Sequence, residues 1–144
     1  MKPVITVLTL AVNDLEKSVA FYQTGLGLPT RGIIGREIEN GAVAFFDLDF
    51  GLKLALWPRA SLSIDTGLPD NTSTSPLGFS MGHNVASKQE VHDVMEQVIK
   101  AGGKIVKSAT DTFYGGYAGY FADPDNHLWE VSWNANFDQI NTMS

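Results

Sequence analysis

The residues best able to do chemistry lie near the C-terminal end, in the stretch GYFADPDNHLWEV (119–131). Asp123-Pro124-Asp125-Asn126 is turn chemistry, so the chain should double back there as a hairpin. A hairpin turning around Asp125 sets Tyr120 across from Glu130, and cross-strand partners share a face. A phenol beside a carboxylate can anchor a cation or a hydrogen-bond donor. Alternatively the carboxylate can act as a base, its pKa raised by apolar walls. Leu128 and Ser132 follow Glu130 onto that face by period-2 alternation, while Trp129, Val131 and Trp133 point to the side a helix should cover. Of the three histidines, His92 falls on the polar face of a helix and His127 in the final turn, and both read as solvent-facing. His83 sits on a strand of ambiguous parity. It is either bonded to backbone or, if turned toward Glu130, a metal ligand or an acid/base group. There is no cysteine, which rules out disulfides, thiolate metal sites and a Cys nucleophile.

The elements that must position these groups come in two copies. Residues 4–12 (VITVLTLAV) form an apolar, β-branched run that predicts a strand. Asn13 with Glu16 then predicts a capping box, and Leu15, Val19, Tyr22 and Leu26 a helix stripe ended by Gly25 and Gly27. The pattern returns with a strand at 78–86 (GFSMGHNVA) and a capping box at Ser87 and Glu90. A stripe of Val91, Val94, Met95, Val98 and Ile99 follows, stopped by Gly102-Gly103. Three strands are expected after each helix, at about 29–36, 42–48 and 52–57, and at about 104–109, 116–122 and 127–133. Each half thus reads as β-α-β-β-β. The expected organisation is a single domain over 1–144: module one at about 4–57, a linker at 58–77 with one helical turn near 59–64, module two at about 78–134, and a tail at 135–144. The fold class is α+β.

Composition narrows the classes of partner. The chain has 144 residues, 44% hydrophobic and 18% charged, enough for one packed core. Its formal charge is −6 and its Lys and Arg are scattered, so the stripe that would neutralise nucleic-acid phosphates is missing. No apolar run approaches the roughly 20 residues that span a bilayer. Asn13-Asp14-Leu15-Glu16 opens a helix where a signal peptide would show its cleavage site. The expected setting is cytoplasmic, with neither nucleic acid nor membrane as partner.

Two β-α-β-β-β modules joined by a linker resemble the vicinal-oxygen-chelate superfamily, which holds glyoxalases, bleomycin-resistance proteins and extradiol dioxygenases. VNDLEKSVAFYQTGLGL (12–28) looks like that superfamily's first strand-helix passage, and GYFADPDNHLWEV like its closing hairpin, usually D-P-x-G-x-x-x-E. Asn126 stands where glycine is usual and accepts the same left-handed turn. The resemblance implies curved mixed sheets around a cradle, and in metal-dependent members ligands from the first and last strand of each module. Carried over by the repeat offset, those positions read Val7, Ala55, Ser80 or Met81, and Glu130. One carboxylate does not hold a catalytic divalent ion, since even an open zinc site takes three protein ligands. The expectation is therefore no cofactor, with a divalent metal possible only if His83 joins Glu130.

The implied cradle is apolar and aromatic. The offset matches Phe45 to Tyr120, Ala55 to Glu130 and Trp57 to Ser132, and the lining adds Val7, Thr9, Ser80 and Leu128. Phe113 and Tyr114, in a glycine-flanked loop, would close over its mouth. The expected ligand-binding set is Glu130, Tyr120, Trp57, Phe45, Ser80, His83, Phe113 and Tyr114. Such a surface suits a small aromatic or cationic molecule bound without metal. The alternative is a metal-dependent or Glu130-based lyase, isomerase or dioxygenase, and whether the chain is an enzyme stays open, leaning to no. A homodimer is expected from the resemblance and from the sheet edges each module would expose.

Overall fold

The computed structural model of the protein describes residues 1–70 and 76–135. The expected linker at 58–77 lies partly, and the tail at 135–144 almost wholly, outside the described residues. The chain divides into two compact units, Met1–Thr74 and Ser75–Ser144.

The first unit runs β1 (Val7–Val12), α1 (Leu15–Ala20), β2 (Thr30–Ile34), β3 (Val43–Asp47), β4 (Lys53–Pro58) and α2 (Arg59–Thr66). Its sheet order is β1-β4-β3-β2, with β1 parallel to β4 and the other pairs antiparallel. Three local expectations are corrected. The strand begins at Val7, not at residue 4. The helix cap is Asp14, not Asn13: Asp14 is extended, and its carboxylate accepts from the Lys17 backbone N–H at 3.0 Å. The helical segment after β4 is an eight-residue helix ended by Gly67 in the left-handed region, longer than the single turn expected.

The stripe along α1 also gains a member. Beyond Ala20 the helix continues as a π turn over Phe21–Gly25, and Phe21 and Tyr22 are both buried. A helix of 3.6 residues per turn does not aim neighbours in sequence at one core. The wider turn lets Phe21 and Tyr22 meet edge to face at 5.0 Å while Tyr22 reaches Phe46. Leu10, Val12, Ala44, Phe46, Leu54 and Leu56 complete this core.

The second unit runs β5 (Met81–Val85), α3 (Lys88–Lys100), β6 (Lys104–Asp111), β7 (Gly116–Ala122) and β8 (Leu128–Asn134), with sheet order β5-β8-β7-β6. Both units are therefore β-α-β-β-β, as the repeat predicts. The capping box forms here: Ser87 Oγ accepts from the Glu90 N–H at 3.1 Å, and Glu90 Oε2 accepts from the Ala86 N–H at 3.0 Å. Val91, Met95 and Val98 face the sheet. Gly119 lets α3 come close, because a Cβ there would sit 2.8 Å from Met95 Cε and 3.0 Å from the Ala109 nitrogen. Phe121 stacks on Trp129 beside buried Val131, so this is the helix-covered face. Among the described residues no helix is long and apolar enough to cross a membrane.

The turn between β7 and β8 is locked by one carboxylate. Buried Asp123 accepts from the Asp125 N–H at 2.9 Å, the His127 N–H at 2.8 Å and His127 Nδ1 at 2.7 Å. His127 is thus a structural partner, with its side chain only 13% exposed, and the solvent-facing expectation is corrected. Asn126 takes the left-handed conformation at φ 70°, standing in for glycine. Replacing Asp123 by Ala would strand two backbone N–H groups and an imidazole. We expect Asp123→Ala to cost about 2–4 kcal/mol in chemical denaturation, and His127→Ala about half as much. Equal, sub-kilocalorie losses in both variants would show that the turn does not depend on the carboxylate.

Candidate functional site

The face of the second unit turned away from α3 is set by register. Gly82 pairs with Glu130, Glu130 with Tyr120, and Tyr120 with Lys107, so these four form one row across all four strands. Within the row Tyr120 Oη donates to Glu130 Oε2 at 2.8 Å. The expected pairing of phenol and carboxylate is therefore present. That hydrogen bond, helped by desolvation and the Glu130 charge, raises the Tyr120 pKa above the usual phenol value. The next row holds Asn84, Ser132, Ala118 and Thr110. Tyr114 leans over the same face: its ring edge lies 3.1 Å from where a Gly116 Cβ would stand, and it adds to the upward push on Tyr120. Phe113 packs edge to face on Tyr114 at 5.1 Å and is fully exposed.

Other expected residues fall elsewhere. His83 is in register with Val131, on the helix-covered face, and does not share a face with Glu130. Partial desolvation holds its imidazole below the ordinary histidine pKa, and the nearby Glu90 carboxylate opposes this only in part. Ser80 is exposed and precedes β5 by one residue, outside the paired ladder. His92 is exposed, but its Nε2 lies 2.9 Å from Tyr117 Oη, so it is not simply solvated.

In the first unit the corresponding row is Thr9, Ala55 and Phe45. Trp57 lies on the same face, paired with Ala11, and its indole N–H donates to the Asn40 carbonyl at 3.1 Å. Phe45 is 38% exposed there. Lys53 is ion-paired with Asp47 and holds that carboxyl below the usual carboxylate range.

This register also refines the metal test. Thr9 and Gly82, rather than Val7 and Ser80 or Met81, stand beside the last-strand positions Ala55 and Glu130. The expected positions fall two residues short of Thr9 in β1 and one or two short of Gly82 in β5, because spacing along the chain does not fix the register of a parallel pair. These positions offer a hydroxyl and a methyl in the first unit and a glycine and one carboxylate in the second, and neither pair fits a divalent ion. Among the described residues, no three His, Asp or Glu side chains gather to hold one. Lys107 was missed altogether. Its signal was present in the strand at 104–109, but two register shifts in β6 break the alternation that would have assigned its face.

The family model for the glyoxalase/bleomycin resistance protein/dioxygenase superfamily matches residues 4–131. A glyoxalase-related enzyme from Fulvimarina pelagi is 33% identical, with a TM-score of 0.78, over 92% of this chain and 88% of that one. A glyoxalase/bleomycin resistance protein/dioxygenase from Nocardioides is 28% identical, with a TM-score of 0.72, over 92% and 84%. The genomically encoded fosfomycin resistance protein of Listeria monocytogenes is 22% identical, with a TM-score of 0.69, over 96% and 99%, a likeness of fold alone.

The Tyr120–Glu130 bond can be read spectroscopically. Ionising Tyr120 breaks its hydrogen bond and sets a phenolate beside a carboxylate, so its transition should lie above the usual phenol pKa near 10. Subtracting the ultraviolet titration of Tyr120→Phe from that of the parent isolates this group. In a Glu130→Gln background the isolated transition should move down toward 10. No downward movement would mean that the carboxylate does not govern the phenol.

Proposed function

The chain belongs to the glyoxalase/bleomycin resistance protein/dioxygenase superfamily, and from that premise we propose that it binds a small aromatic or cationic molecule without a metal. The observation that carries this reading is the Tyr120–Glu130 pair, whose neighbour on the first strand is Gly82 rather than a second metal donor. A carboxylate bonded to one phenol keeps an oxygen for a ligand's ammonium or N–H, and the aromatic rings beside it favour a flat or cationic partner. Tyr120, Tyr114 and Phe113 supply such rings in the second unit, with Ser80 at the edge of its sheet. Trp57 and Phe45 give the first unit an aromatic face of its own. His83 is left out of this reading because its strand turns it to the helix side.

An enzymatic reading stands second, favoured by the closeness of the two groups. On substrate binding the Tyr120 O–H would leave Glu130 and donate to the oxygen that gains charge, freeing Glu130 to take a proton from a carbon acid, a general-base and electrophile pair needing no metal. Self-association is a further part of the proposal. Among the described residues each unit's four-stranded sheet ends in strands paired on one side only, β1 and β2 in one and β5 and β6 in the other, which self-association would cover.

Benzylamine is a suitable first probe of binding, by thermal shift with EDTA present throughout. At about ten times its Kd it should stabilise the protein by about 1.4 kcal/mol, roughly 3–6 °C in Tm. Glu130→Gln should abolish the shift. A metal-based site would instead show about one equivalent of metal by plasma mass spectrometry and a Tm that falls with chelator, and that result would overturn the proposal.

A further inference from the structure

The open face of the second unit carries more charge than one carboxylate. On β6, Lys107 is in register with Tyr120, Lys104 with Ala122 and Thr110 with Ala118, so two ammonium groups and a hydroxyl border the row that holds Glu130. Neither lysine makes an ion pair among the described residues, whereas Lys88 is held by Asp111 and Lys53 by Asp47. In a chain of net charge −6 an unpaired basic border beside a carboxylate is a local exception. At the other end of the row, a Cβ on Gly82 would meet nothing within 4 Å, so the flank of Glu130 is open space. Glu130 and Lys107 stand two strands apart, about 10 Å between backbones.

Resting on the binding reading above, we infer that this face selects an amphoteric molecule. Its cationic or N–H-bearing group lies against Glu130 in the space over Gly82, and its carboxylate or similarly acidic group meets Lys107, with Lys104 alongside. The row accounts for both ends. The Tyr120 hydroxyl, committed as donor to Glu130, orients the carboxylate for the ligand's cation. The bulges on both sides of Lys107 re-aim that stretch of β6, a device found next to binding sites. The bland account is that lysines on an edge strand only deter strand-to-strand association. That account predicts no ligand preference at all.

Three probes separate the possibilities: benzylamine (cation only), benzoate (anion only) and 4-(aminomethyl)benzoate (both), titrated into labelled protein by NMR. The amphoteric probe should bind about tenfold more tightly than benzylamine. Lys107→Met should remove that advantage while leaving benzylamine affinity within twofold, and Gly82→Val should weaken both amines without loss of fold. If the amphoteric probe has no advantage, or keeps it in Lys107→Met and Lys104→Met/Lys107→Met, the amphoteric selection is wrong while the Glu130 site stands. If Lys107→Met only promotes aggregation, edge protection is the correct account. If benzylamine binding survives Glu130→Gln, or no amine binds, the underlying reading fails and this inference with it.

Discussion

The chemistry of the second unit depends on the register of one hairpin. A β-strand alternates its faces with period two, so a slip of β8 by one residue against β7 would turn every β8 side chain to the other face of the sheet. With β7 held in place, Glu130 would then lie under α3, parted from Tyr120, and Trp129 would be turned outward. Asp123 opposes that slip by accepting three hydrogen bonds within a five-residue stretch, and Asn126 closes the turn in the left-handed conformation. The apolar side of the hairpin reinforces it: Phe121 stacked on Trp129, with Val131 fully buried, has no place in water. Turn chemistry and core packing thus specify the same register, and the Tyr120–Glu130 pair inherits its position from both.

The same constraint explains what was legible in the sequence. Both β-α-β-β-β modules, the second capping box and the partnership of Tyr120 with Glu130 were readable because each follows from local spacing: a turn, a period, a cap three residues from its partner. The facing of His83 was not readable, since an isolated strand in a parallel pair carries no hairpin to fix its parity, and only its pairing with Val131 decides it. Lys107 escaped for a related reason, because bulges break the period on which facing arguments rest. Phe21 escaped because a π turn departs from 3.6 residues per turn. His127 was misread because a turn residue was assumed to face water, whereas a buried carboxylate four residues earlier draws it in.

The first-strand positions show how side-chain size can redefine a site without disturbing its frame. Thr9 and Gly82 sit beside Ala55 and Glu130 in two ladders of the same topology. A ladder is held by backbone hydrogen bonds and by the buried face, so the residues on the other face are free to change. Removing donors there costs the fold little, but it changes the environment of what remains. A carboxylate bound to a metal is neutralised by the ion. A carboxylate beside glycine must find a hydrogen-bond donor elsewhere, and here the Tyr120 hydroxyl is one. The phenol satisfies one oxygen and holds its own proton more firmly as a result.

That arrangement has a direction. The hydrogen bond points from β7 to β8, and on the next strand, β5, the position beside Glu130 is Gly82, where space is open. Lysines border the opposite edge on β6. The face is therefore polarised along the row, negative near β5 and positive near β6, with the phenol between them. A molecule carrying a single charge can satisfy only one end and leaves the other solvated or poorly paired. A molecule with opposite charges at its two ends satisfies both, and the row fixes which way round it must lie. Specificity of that kind needs no metal to orient the ligand, because the sheet's own register supplies the axis.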